Sequence, residues 1–148
     1  MTAPREDYFR IITIGMQTKE KAYIDKIASS SGGSVMHTDN EIGLLKLAHN
    51  TNFDVCFIGQ SDNTPELSYI IWLLKGLIKQ SKMIVLFSSL SKEEEEKILR
   101  HDVSRVFKRP ANPGGISKTI ESILSHDHES VSIWETITNR LFFRKHAA

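Results

Sequence analysis

The side chains of this chain that are able to do chemistry stand where short apolar runs stop. The run at 53–60, FDVCFIGQ, ends in Gly59 and Gln60, and the next carboxylate, Asp62, lies beyond it in a polar loop. The run at 83–87, MIVLF, is followed by the hydroxyl of Ser88. The run at 9–14, FRIITI, gives way to Gly15, Met16, Gln17 and Thr18, and the run at 103–108 leads through Lys108 to Arg109 and Pro110. Gly59 has no side chain, and Met16 and Gln17 carry no charge. No nucleophile–base pair, suitably placed carboxylate pair or metal motif is present, so the expectation is that the chain is not an enzyme.

The remaining reactive residues have plainer readings. Cys56, the single cysteine, cannot form an internal disulfide and reads as a small core hydrophobe. His126 and His128, with Asp127 and Glu129, form the one histidine cluster, read as a solvated link rather than a metal site. The loop GMQTKEK offers only Gly15 and Thr18 toward a phosphate-binding turn, and it has no P-loop pattern. Glu93 to Glu96 reads as a solvated first helical turn favoured by the helix dipole. No metal and no cofactor is therefore expected.

Alternating β-rich runs and helical patterns must position these ends. Strands are expected at 9–14, 34–37, 54–58, 83–87 and 103–108. Gly32 and Gly33 stop a first helix, over 18–31, that carries Tyr23, Ile24, Ile27 and Ala28 on one face. Asp39 or Asn40 caps a second, with Ile42, Leu45 and Ala48 inward. Pro65 opens a third, with Leu67, Ile70, Ile71, Leu74, Leu77 and Ile78 as its core face. Ser91 with Glu94 has capping-box spacing for a fourth, running to about His101. A fifth begins at Asn112 and Pro113 and turns Ile116, Ile120, Ile123 and Leu124 inward. Strict alternation with short connections predicts a parallel sheet covered on both faces. The apolar third and fourth strands belong at its centre and the short second strand at an edge. The expected fold is therefore α/β, a flavodoxin-like three-layer αβα sandwich with strand order 2-1-3-4-5, whose chemistry sits at the carboxyl ends of the strands.

With 148 residues, 40% hydrophobic and 25% charged, the chain is expected to form one soluble domain. A net charge of +1 provides no global field for nucleic acid or an anionic membrane. No apolar run is long enough to span a bilayer, and the N-terminus has no apolar signal-peptide core, so a cytoplasmic location is expected.

With its five strands so spaced, the run MIVLFSS, and the ending VFKRP before the last helix of the domain, the chain from about Phe9 to Leu124 resembles the CheY-like receiver domain of bacterial response regulators. The resemblance implies an acidic pair after the first strand, an acceptor aspartate ending the third, a hydroxyl ending the fourth, and a lysine before proline ending the fifth. Those positions fall here on Gly15, Met16 and Gln17, on Gly59, on Ser88, and on Arg109. An alternative alignment puts Lys108 in the lysine's role. The aromatic switch position of the family aligns with Val106. The chain therefore reads as a degenerate pseudo-receiver over 9–126, followed by a C-terminal helix over 127–148 that acts as a dimerisation element or as a linker to an output domain.

Two surfaces suit protein contact. Tyr69, Trp72, Leu73 and Gly76 make a second stripe on the third helix, and Trp134, Ile137 and Leu141 run at near coiled-coil spacing in the C-terminal helix. The leading expectation is a phosphorylation-independent signalling module of the bacterial two-component type. It would act on a protein partner, on its own output domain or as a homodimer, without nucleic acid or membrane insertion. The alternative is a sensor of a nucleotide or other anion, bound near Thr18, Ser88, Lys108 and Arg109 in a pocket left electropositive by the missing acids.

Overall fold

The computed structural model describes residues 9–78 and 81–124. Within them five strands and five helices alternate: β1 Phe9–Ile14, α1 Thr18–Ser30, β2 Gly33–Thr38, α2 Glu41–Asn50, β3 Val55–Gly59, α3 Leu67–Leu77, β4 Lys82–Phe87, α4 Lys92–Leu99, β5 Arg105–Lys108 and α5 Pro113–Leu124. All pairings are parallel and the order is β2-β1-β3-β4-β5, as the apolar patterning predicted. The C-terminal helix expected over 127–148, with Trp134, Ile137 and Leu141, lies outside the described residues, as does the His126–His128 cluster.

Alternation along the central strands divides the core. Ile12, Ile14, Cys56, Ile58, Val85 and Phe87 point to the face covered by α2, α3 and α4, where Leu44, Leu67, Ile70, Ile71, Leu74 and Ile98 meet them. Ile11, Val55, Phe57, Ile84 and Leu86 point to the other face, under Ile24 and Ala28 of α1 and Ile116 and Ile120 of α5. Cys56 sits in the first cluster beside the Ser81 hydroxyl, and burial pushes its thiol up to about 12, which suits an inert core residue.

Several local expectations shift. Asn40 is the cap of α2, its side chain accepting from the Gly43 amide at 2.9 Å. That start fixes the helix phase so that Leu44 and Ala48 turn inward, while Ile42 is 66% exposed and Leu45 half-buried. Glu66, in an extended conformation, is the cap of α3, so the helix begins after Pro65 rather than on it. Leu77 stands largely outside the core at the far end of α3. α4 stops at Leu99, and β5 starts at Arg105 because Val103, though buried, bonds locally to the His101 carbonyl instead of joining the ladder. Among the described residues no helix is long and apolar enough to cross a membrane.

Candidate functional site

At the carboxyl edge of the sheet the ends of β1 and β3 are drawn together with no side chain between them. Gly15 has a φ of +74°, the left-handed region that favours glycine, and a Cβ there would run into the Gly59 carbonyl. A Cβ at Gly59 would in turn meet the Gly15 carbonyl oxygen, with Arg109 Nη2 at 2.5 Å and Met16 Cε at 2.7 Å. The space that an acceptor side chain would occupy is taken by a guanidinium and a methionine methyl.

Arg109 is the organising residue. It follows β5, and the Arg109–Pro110 peptide is cis. Its guanidinium donates from Nε to Glu20 Oε2 at 2.7 Å, from Nη2 to Glu20 Oε1 at 2.9 Å and to the Gly15 carbonyl at 3.0 Å, and from Nη1 to the Gln60 carbonyl at 2.6 Å. The two side chains are only 6% and 5% exposed. This is a bidentate, buried ion pair whose remaining donors are met by the backbones of the β1 and β3 ends. Glu20 also accepts from the Gln17 amide at 2.8 Å, capping the start of α1. Lys108, the alternative alignment's candidate, is exposed at the end of β5.

Glu20 was missed in the sequence reading, and two signals marked it. It stands three residues after Gln17, the capping spacing, and one turn before Ile24 and Ala28 on the buried stripe of α1. An acid at a core-facing position requires a partner. Gln60 was named at the end of the third strand but given no role. Its side-chain Oε1 accepts from the amides of Ser88 at 2.8 Å and Ser89 at 3.1 Å, and its Nε2 donates to the Ser89 carbonyl at 2.7 Å. The loop from β4 to α4 is thus tied to the end of β3, with the Ser88 side chain left exposed.

Beside this closed centre lies an open cleft of about 640 Å³, lined by Met16, Gln60, Thr64, Ser88 and Arg109 and by the acids Asp62, Glu66 and Glu94. The electropositive pocket expected for an anion is not what these residues build, because Glu20 neutralises Arg109 and the open part carries carboxylates. Lys108 and Thr18 are not among its lining residues. Nor do the residues fit the divalent cation implied by the family resemblance. The one acid at the end of β1, Glu20, is committed to Arg109 and to a backbone amide, and a guanidinium holds the Gly15 carbonyl. Among the described residues no group of three or more His, Cys, Asp or Glu side chains is placed to hold a metal ion.

Ser91 caps α4 by accepting from the Glu94 amide at 3.1 Å, but the reciprocal half of a capping box is replaced by an approach of Glu94 to Glu66. Burial first, and the Glu66 carboxyl second, raise the Glu94 pKa above its usual value. A folded-state acid with a raised pKa holds its proton longer than the unfolded chain does, so stability declines as pH rises from the ordinary carboxylate range through the folded value. Glu94→Gln is expected to flatten that decline and raise the thermal midpoint at neutral pH, with the two proteins converging in acid. An unchanged or lower neutral midpoint would show that the Glu66–Glu94 approach does not strain the fold.

On α3, the stripe of Tyr69, Trp72, Leu73 and Gly76 faces outward. Trp72 is 62% and Tyr69 41% exposed, their rings stack with centroids 6.1 Å apart, and Leu73 is half-buried. Tyr69 donates to Glu41 of α2 at 3.0 Å, and a Cβ at Gly76 would meet nothing within 4 Å.

No family model matches the chain, and no curated protein matches it. Solved structures do. A CheY-like response regulator receiver domain protein from Methanospirillum hungatei matches with a TM-score of 0.70 at 17% identity, over 79% of this chain and 94% of that one. A response regulator from Thermotoga maritima matches at 0.68 and 13%, over 80% and 98%. An orphan response regulator of H. pylori matches at 0.67 and 15%, over 78% and 96%. The fold is therefore the five-stranded flavodoxin-like fold of CheY-like receivers, in the strand order read from the sequence.

Proposed function

We propose that this chain is a phosphorylation-independent signalling module of the bacterial two-component type, acting in the cytoplasm through protein–protein contact. The observation that carries the reading is the buried Arg109–Glu20 pair, which occupies the space where a receiver would carry its acceptor and its cation. The site is filled and internally satisfied, so it offers neither a nucleophile nor a metal seat. Gln60 fixes the loop after β4, the segment next to that site, in one arrangement. What remains for signalling is surface, and the outward stripe of α3 is the candidate for a protein partner or the chain's own output domain.

Incubation with magnesium and acetyl phosphate or beryllofluoride tests the reading. No covalent phosphate and no change in thermal midpoint are expected, because Asp62 stands in the open cleft away from any cation seat. A saturable response abolished by Asp62→Ala would overturn the proposal. For the surface, Trp72→Ala is expected to change stability by less than about 0.5 kcal/mol, as for other exposed side chains. The same change weakens self-association or partner binding by about tenfold or more, the loss usual for an aromatic anchor. An unchanged association constant would remove α3 from the proposal.

A further inference from the structure

We propose that two copies of this chain pair face to face through α3 and its neighbours α2 and α4, with the two α3 helices antiparallel about a two-fold axis that passes between Tyr69 and Trp72. The inference rests on the reading above that the outward stripe of α3 is a protein contact, and it names the partner.

The layer formed by α2, α3 and α4 is electrically polar along its length. Each of its helices runs from the carboxyl edge of the parallel sheet, the head, back to the opposite edge, the foot. Acids stand at the head, with Glu66 capping α3 and Glu93 and Glu94 opening α4. Bases stand at the foot, with Lys75 in the last turn of α3 and Arg100 and His101 closing α4. Each sign suits its own helix terminus. The other helical layer nevertheless lacks this polarity. α1 has no basic residue in its last turn, α5 has none either, and the acid that opens α1, Glu20, is closed in against Arg109.

Like charges also crowd at each end. Glu94 meets Glu66 at the head, and at the foot burial first and Lys75 second lower the His101 pKa. Each end is therefore eased by the sign that the other end holds, which makes the face complementary to itself.

Two copies can set their α3 helices parallel or antiparallel, and the charges decide between the two. A parallel arrangement puts Glu66 on the partner's Glu66 and Lys75 on the partner's Lys75. An axis crossing α3 at right angles instead lays the head of each copy on the foot of the other and keeps α4 opposite the partner's α4, so every contact is made twice. The register follows. Glu66 and Lys75 are centred midway between residues 70 and 71, and so are Tyr69 and Trp72. The axis that sets Glu66 against the partner's Lys75 thus also lays Tyr69 on the partner's Trp72. These two rings already stack within one copy and stand exposed, so pairing closes a four-ring cluster at the axis. In the same register Gly76 falls on the partner's Pro65, and a Cβ at Gly76 would meet nothing within 4 Å, so the backbones have room to approach.

Charge fixes the orientation, while the aromatic anchors supply most of the affinity, because exposed ion pairs contribute little. The face is small. Three helices about 10 Å apart and about 16 Å long present roughly 500 Å² a side. That is the low end for a specific contact, so the pair is reversible and depends on protein concentration.

Sedimentation velocity of the full chain over a series of concentrations tests the pairing. The unaltered chain is expected to show a monomer–dimer equilibrium that high salt weakens several-fold. Glu66→Lys and Lys75→Glu each set like charge on like at both ends and are expected to weaken association about tenfold or more. Their thermal midpoints should stay near the parent's, since Glu66 is exposed and makes no side-chain capping bond, and Lys75 is only half-buried. Mixed in equal amounts, the two variants complement each other across the axis, and association is expected to return to within a few-fold of the parent's. A chain that stays monomeric at every concentration, a single variant that associates like its parent, or a mixture no tighter than its components overturns the proposal. The α3 contact itself is read by Trp72→Ala and phosphorylation independence by the beryllofluoride response, so failure of the pairing is distinguishable from failure of either.

Discussion

Replacing Arg109 with alanine is expected to lower the unfolding free energy by about 3–5 kcal/mol, the cost of leaving a buried ion without its partner. The lost guanidinium makes four hydrogen bonds, two to Glu20 and one each to the carbonyls of Gly15 and Gln60. Glu20 would remain in a nearly closed position with its charge uncompensated. Arg109→Lys should recover only part of the loss, because an ammonium keeps the charge but cannot fork to both carboxylate oxygens while reaching two carbonyls. Replacing both Glu20 and Arg109 with methionine should cost far less than either single change, since an apolar pair of similar volume removes the desolvation penalty. Urea unfolding of the unaltered protein, Glu20→Met, Arg109→Met and the double variant gives the coupling energy. Losses that simply add would show that the two side chains do not act as a unit, and the account of a filled site would fail with them.

The parts of this molecule that were legible in its residues are those set by burial. Val55 to Gly59 and the run MIVLF are apolar on both faces, which only central strands of a covered sheet require, and strand order follows from placing them there. Helix phase was less legible. Ile42 and Leu44 are equally hydrophobic, and the Asn40 cap, not hydropathy, decides which one faces the sheet. The site was legible only as a deficit. That Gly15, Met16, Gln17 and Gly59 lack acids is visible in the chain. That Arg109 bends inward to replace them depends on Glu20, which lies 89 residues away and whose place on the buried stripe of α1 asks for a partner without saying which. Gln60 is a similar case, because its amide is read by the backbone of a loop that only strand pairing brings near.

Placing an aspartate at position 59 is not expected to create a phosphoacceptor. The new Cβ would start in contact with the Gly15 carbonyl oxygen, the Arg109 guanidinium and the Met16 methyl, so the ends of β1 and β3 must part to admit it. Overpacking of this kind costs about 3 kcal/mol at its upper end. At roughly 3–4 °C per kcal/mol for a domain of this size, the thermal midpoint should fall by about 10 °C. Gly59→Ala carries the steric part without the charge and should show most of the same fall. The carboxylate of Gly59→Asp would then lie against Arg109 and compete with Glu20 for it, instead of standing free beside a cation. No phosphate should be taken up from acetyl phosphate and magnesium, even at temperatures where the variant remains folded. A Gly59→Asp protein of undiminished stability that becomes phosphorylated would mean that Arg109 leaves its place without cost, and that the absence of one carboxylate, rather than the filling of its space, keeps phosphate from the natural chain.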